Sequence, residues 1–161
     1  MAIEAPISKF KKTNYKIFLG ICIAIAIIFA YDGYLSKYKW SGRYSFYKEQ
    51  VINNDGKPTP TMNFNRKSPP FFLAGAVFFV VALYVVKDKK LIADENELVI
   101  SDRKRISYDS IQQIDKTYFE KKGFFVITYK NKGGGEVRLR LSDRKYDNLS
   151  AVLEYMVAKI S

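Results

Sequence analysis

Apolar and polar positions are unevenly divided along this chain. Ile17 to Tyr31 (IFLGICIAIAIIFAY) and Phe71 to Val86 (FFLAGAVFFVVALYVV) are nearly unbroken apolar blocks, whereas from Leu91 onward the apolar residues come first in short runs and then at helical spacing. A helix on the surface of a soluble core would carry a polar face, and neither block has one. The second block starts after Pro69-Pro70 and stops at Lys87-Asp88-Lys89-Lys90. As a helix it would cover about 24 Å, short of a hydrocarbon core of about 30 Å, so flanking residues or local thinning must supply the difference. Two transmembrane helices are therefore expected, over 17–37 and 70–87. They leave 1–16 as a basic N-terminal tail, 38–69 as an inter-helix loop and 88–161 as a folded domain.

Lys9, Lys11, Lys12 and Lys16 precede the first block against Glu4 alone. A signal peptide begins the same way, but the Ala-x-Ala spacing at Ala24 and Ala26 sits inside the apolar run and bulky Tyr31 follows Ala30, so a retained helix is expected. Tyr34, Tyr38, Trp40, Tyr44 and Tyr47 are the candidates for the membrane interface, where amphipathic rings lie at headgroup depth. Their mixture with Lys37, Lys39, Arg43 and Lys48 suits an interfacial segment or a loop that folds on a partner protein. Asn54-Asp55-Gly56 and the four prolines at 58, 60, 69 and 70 predict that the stretch 53–70 has no fold of its own. Small residues recur in both blocks, Gly20 with Ala24 and Ala26 with Ala30 in the first and Ala74, Gly75, Ala76 and Ala82 in the second, and of these Gly20, Ala24, Gly75 and Ala82 are the leading candidates for close helix packing. Neither block carries the polar side chains of a pore or relay, which argues against a channel or carrier.

Beyond the second block the pattern turns to strands. Leu91–Ala93, Leu98–Ser101 and Arg105–Tyr108 are separated by Asp94-Glu95-Asn96-Glu97 and Asp102-Arg103-Lys104, which suit tight turns. Longer strands are expected over Ile111–Phe119, Gly123–Lys130 and Glu136–Leu141, the last alternating strictly with Arg138 and Arg140 outward. Gly133-Gly134-Gly135 is a turn and not a phosphate loop, since a strand and no Gly-Lys-Ser/Thr follows. Leu149, Val152, Leu153, Met156, Val157 and Ile160 mark one face of a closing helix, with Ser142 or Asp143 as its expected cap. Phe125, Ile127, Val137, Leu139, Leu153 and Met156 should form the core. The fold class is thus α+β: a two-helix transmembrane hairpin, then a small antiparallel sheet of about six or seven strands closed by a C-terminal amphipathic helix.

Charge and composition narrow the chemistry. The net charge is +11, of which residues 1–86 carry +7 and residues 87–161 carry +4. Placed beside membrane segments, that excess points to the lipid bilayer as a partner and argues against nucleic acid. Across the candidate spans, ten Lys and Arg of the flanking segments face seven of the intervening loop, which favours cytoplasmic N- and C-termini. The chain has no histidine and a single cysteine, Cys22, which excludes Ser-His-Asp and Cys-His nucleophiles and an intramolecular disulfide. Asp109, Asp115 and Glu120 show no catalytic spacing, so neither enzyme activity nor a metal or other cofactor is expected.

The early hairpin LIADENELVI, the stretch RISYDSIQQIDK, the pair GFFVITYKNKGGGEVRLRL and the final helix together resemble the bacterial pleckstrin-homology-like domains found after two transmembrane helices in small membrane proteins. The resemblance covers residues 91–160 and implies a bent seven-stranded sheet plus helix, of which the sequence places six strands. It also implies residence in the bacterial inner membrane. In phosphoinositide-binding members of the wider family, basic residues flank the first hairpin loop, whereas here it reads Asp94-Glu95-Asn96-Glu97, so specific phosphoinositide binding is not expected. The expected role is non-enzymatic: a binding or scaffold domain held at the cytoplasmic surface for a protein partner, with Arg103, Lys104, Arg105, Arg138 and Arg140 as candidate partner surface. The alternative is a small accessory or assembly subunit of a larger membrane complex.

Overall fold

The computed structural model describes residues 2–131 and 133–160. The chain runs β1 (Ile3–Pro6), α1 (Lys9–Ala30) continued by a π-helical turn (Tyr31–Leu35), α2 (Tyr44–Gln50), α3 (Pro60–Lys67), α4 (Pro69–Val86), β2 (Lys90–Ala93), β3 (Glu97–Ser101), β4 (Lys104–Ser107), β5 (Ile111–Asp115), α5 (Phe119–Lys122), β6 (Phe124–Lys130), β7 (Glu136–Ser142) and α6 (Leu149–Ile160). It divides into two compact units, one of Asn14–Tyr84 and one of Met1–Thr13 with Val85–Ser161.

In the helical unit, Lys9–Leu35 and Pro60–Val86 are two helices of 27 residues, each long and apolar enough to cross a membrane. At 1.5 Å per residue they reach about 40 Å, the thickness of a bilayer with its headgroup layers. The added length of the second comes from α3, inside the segment expected to lack structure. Thr59 takes extended backbone and its hydroxyl accepts from the Met62 amide, with Pro60 at the first helical position, where a missing N–H costs nothing. The Thr59-Pro60 pair is thus a helix start and not a turn. Ser68 keeps right-handed helical backbone before Pro69, so α3 runs into α4. The two apolar helices touch through Phe18 stacked on Phe79 and through Phe29 against Phe64 and Phe72.

The second unit holds two antiparallel sheets, of order β1-β2-β3-β4 and β5-β6-β7. Six of the seven strands fall near their expected positions, although β5 stops at Asp115 and the stretch toward Phe119 turns into α5. Gly123 ends α5 with φ 65°, a left-handed conformation, and a Cβ there would overlap the Asp143 carboxylate. The seventh strand comes from the segment expected to be a tail. Ile3–Pro6 pairs with β2 so that Ile3 faces Ala93 and Pro6 faces Lys90. Period-two burial explains it: Ala5 and Ile7 are fully inside, while Pro6, which has no N–H for a ladder, sits on an edge strand and accepts from the Asp147 amide at 2.9 Å.

Helix α6 packs over β1 and β2. Its buried residues Leu149, Val152, Leu153 and Met156 join Leu91, Leu98, Ile106, Phe125, Ile127 and Leu141 in the core. Of the expected core, Val137 and Leu139 are only half-buried, on a strand at the sheet edge. The expected cap is displaced. Ser142 closes β7, residues 143–148 form a turn held by Tyr146 and Lys145 amides on the Ser142 carbonyl, and Asn148 enters the helix from φ 58°.

Candidate functional site

The candidate partner residues separate into two clefts on the sheet unit. Arg103, Lys104 and Arg105 sit at and beside the β3–β4 turn and line an open cleft of about 730 Å³ with Ser107, Ser110, Tyr129, Lys130 and Asn131. Arg105 is drawn toward Glu97 at 2.9 Å, while Arg103, Lys104 and Lys130 share the cleft with Asp102. Lys130 and Asn131 were not among the sequence candidates. The signal was the turn that follows: the Asn131 side chain accepts from the Gly133 and Gly135 amides at 2.9 Å each and fixes the end of β6 beside β4.

Arg138 and Arg140 line a second cleft of about 390 Å³ with Gln113, Asp115, Val126 and Thr128, across the outer face of the three-stranded sheet. The β6–β7 register, Val126 opposite Arg140 and Thr128 opposite Arg138, puts these side chains in one row. Arg140 lies 3.6 Å from the centre of the Phe124 ring, a cation–π contact. Hydrogen bonds from Thr117 hold the exposed Asp115 carboxyl below the usual range and keep it anionic at the cleft edge. Such a face offers planar, bidentate donors to carboxylates.

In the helical unit, Tyr38 and Trp40 stack with ring centres 5.7 Å apart, Lys37 lies over Tyr38, and Trp40 is 70% exposed. Tyr44 and Tyr47 stack in turn on α2. Tyr34 is also exposed and donates to the Arg66 carbonyl at 2.7 Å. Among the packing candidates, Gly75 lies where a Cβ would meet Cys22 at 3.3 Å, Ala82 is half-buried, and Gly20 and Ala24 face outward. The small residues that the helices cover are Ala26 and Ala76.

Sequence reasoning did not single out the polar cluster at the end of α1. Arg43 reaches Asp32 by two bonds, Nε to Oδ1 at 2.9 Å and Nη2 to Oδ2 at 3.0 Å, and the Asp32 side chain is only 11% exposed. The hydrogen bonds that Arg43 donates to Asp32 raise its pKa above the usual value, against a smaller opposing effect of burial. Arg66 Nε donates to the Gly33 carbonyl at 3.0 Å, and a Cβ at Gly33 would fall 2.9 Å from the Asn65 carbonyl group. This cluster closes the hairpin tip. No family model matches the chain, and neither does any curated protein or solved structure.

Proposed function

We propose that this chain is a non-enzymatic, membrane-anchored binding module whose two apolar helices are an insertion between the first and second strands of a pleckstrin-homology-like domain. The observation that carries the reading is the pairing of β1 with β2. The chain leaves one sheet at Pro6, passes through both long helices, and returns to the neighbouring strand at Lys90. If both helices cross the bilayer, the N-terminal strand and the C-terminal domain share one face. The lysine and arginine balance favours the cytoplasmic side for that face, and the pleckstrin-homology-like resemblance favours a bacterial inner membrane. Four plus three antiparallel strands with a C-terminal helix support the pleckstrin-homology-like assignment. The outer face of β5-β6-β7, with Arg138 and Arg140, is the surface offered to an acidic protein partner.

Single-cysteine chains in a Cys22→Ala background test the arrangement. Asn53→Cys, exposed between the long helices, should react with an impermeant maleimide in intact cells, while Ala2→Cys and Asp109→Cys should react only after lysis. Equal labelling of Asn53→Cys and Asp109→Cys in intact cells would mean that the helices do not span.

A further inference from the structure

The sheet unit is electrically lopsided, and its geometry says toward what. Antiparallel order places the start of β2, the end of β3 and the start of β4 at one end of the four-stranded sheet, the end where the chain passes to and from the long helices at Pro6 and Lys90. The Asp102-Arg103-Lys104 turn therefore lies at this junction. Other loops are tied to it by hydrogen bonds. Ile7 N donates to the Lys89 carbonyl at 3.1 Å, Ser8 N to the Lys145 carbonyl at 3.0 Å, and the Ser8 hydroxyl to the Arg144 carbonyl at 2.6 Å. Lys9 N donates to Asp147 Oδ2 at 3.0 Å. The Asp143 amide then reaches the Gly123 carbonyl at 2.8 Å, and an open cleft lined by Phe10, Lys121, Lys122 and Arg144 joins the α5 turn to the first turn of α1. Lys11 and Lys104 both act on the buried Tyr146 phenol, drawing back part of the rise that burial gives its pKa, so the β3–β4 turn and the base of α1 are electrostatic neighbours.

The segments of this rim, 9–12, 87–90, 102–104, 120–122 and 143–147, hold twelve lysines and arginines against five acidic residues, whereas the remaining sequence of the same unit holds seven against eight. The domain's entire positive excess thus lies around the points where the chain enters and leaves its apolar helices. A surface evolved for solubility alone mixes both signs evenly. A surface laid on anionic headgroups is attracted through each basic residue that lies within a Debye length, about 10 Å, of the leaflet. Phe10, 56% exposed within the rim, adds an apolar contact at headgroup depth.

We propose that this rim seats the domain on the anionic lipid headgroups of the leaflet from which its helices emerge, leaving the Arg138–Arg140 face free for a partner. The inference rests on the membrane reading above. It treats Arg103 and Lys104 as lipid contacts and not as part of a protein-docking surface.

The test uses the full chain in lipid nanodiscs with an environment-sensitive fluorophore on Ser101→Cys, at the rim, or on Asn96→Cys, in the opposite turn, each in the Cys22→Ala background. In discs of phosphatidylcholine mixed with phosphatidylglycerol, the Ser101 label should shift to the blue and be quenched by a headgroup-located quencher. In phosphatidylcholine alone, or at high salt, both effects should be lost, and the Asn96 label should respond in neither lipid. Reversing charge in the Arg103→Glu/Lys104→Glu/Lys121→Glu/Lys122→Glu chain should abolish the response, with an unchanged melting temperature showing that the fold is intact. If that chain is unfolded, Arg103→Gln/Lys104→Gln should weaken the response and decides in its place. Failure of the chain to enter discs would defeat the membrane reading and this inference together. A chain that enters discs normally but whose Ser101 label ignores phosphatidylglycerol or the charge changes overturns the seating alone.

Discussion

At the scale of single residues, burial and hydrogen bonding decide which polar side chains matter to stability. Tyr108 is 7% exposed, and its hydroxyl donates to the Asp94 carbonyl at 2.9 Å. Burial, helped by Tyr155 and the carboxylates of Asp94 and Glu97, pushes its pKa from 10.0 up to about 12. Below pH 10.0 the phenol is protonated in both folded and unfolded chains and its favourable contribution is whole. Between there and about 12 the unfolded chain releases the proton while the folded one keeps it, so stability falls as pH rises through that window. Tyr108→Phe should lower stability by about 0.5–1.5 kcal/mol at neutral pH through the lost hydrogen bond, yet flatten the decline in melting temperature above pH 10.0. Parallel declines for the two proteins would show that the phenol does not titrate as its burial requires. The burial of Tyr108 could not be read from sequence, because it depends on a turn from β2 to β3 closing over its ring.

At the scale of elements, local pattern was legible wherever the partner was near in sequence. Strands β2 to β4 and β6 to β7 join through short turns, and alternation such as EVRLRL sets their faces without further information. Strand β1 escaped because it is four residues long, carries a proline, and pairs across more than eighty intervening residues with a strand on the far side of both apolar helices. The candidate site divides in the same way. Arg138 and Arg140 were recognisable from alternation alone, while Lys130, Asn131 and the company kept by Arg103 depend on which sheet ends meet. The pairing of β1 has a consequence for how small the folding unit can be. Residues 89–161 alone would leave β2 as a bare edge and remove Ala5 and Ile7 from under α6, so they should melt without cooperativity or at much lower temperature. Joining residues 2–8 to 89–161 by a short glycine-serine linker should restore a cooperative melt, since Ile7 N already sits 3.1 Å from the Lys89 carbonyl oxygen. In that shortened chain Leu153→Ala should cost about 2–5 kcal/mol. Circular dichroism melts of the three proteins would check both statements, and a fragment of 89–161 as stable as the linked chain would make β1 an ornament.

At the scale of the whole molecule, the proposal of a membrane-anchored module that stands alone has one rival, a subunit that needs a larger assembly. A subunit folded only in company leaves polar groups to be satisfied by neighbours, because an unpaired buried donor or acceptor costs about 1–3 kcal/mol. The helical unit leaves little of that kind. Asp32 is held by Arg43, the Gly33 carbonyl by Arg66, the Arg66 carbonyl by Tyr34, and the Thr59 hydroxyl by Gln50, while the Ser68 hydroxyl is the one buried side-chain group without a partner among the described residues. The segment between the long helices is also built from its own contacts: Met62 is fully buried, Val51 is 6% exposed, and the Thr59 amide donates to the Gln50 carbonyl at 3.0 Å. Besides Ile52, the large apolar side chains it exposes are Tyr38 and Trp40, amphipathic rings suited to the headgroup layer. A unit that satisfies itself in this way should survive extraction alone. After gentle detergent solubilisation at native expression level, most of the protein should therefore migrate at the size of a detergent-bound monomer or small oligomer, and a Trp40→Ala chain should migrate with it. Quantitative migration with a large assembly, lost on Trp40→Ala, would make the aromatic pair a subunit contact and the accessory-subunit reading the better one.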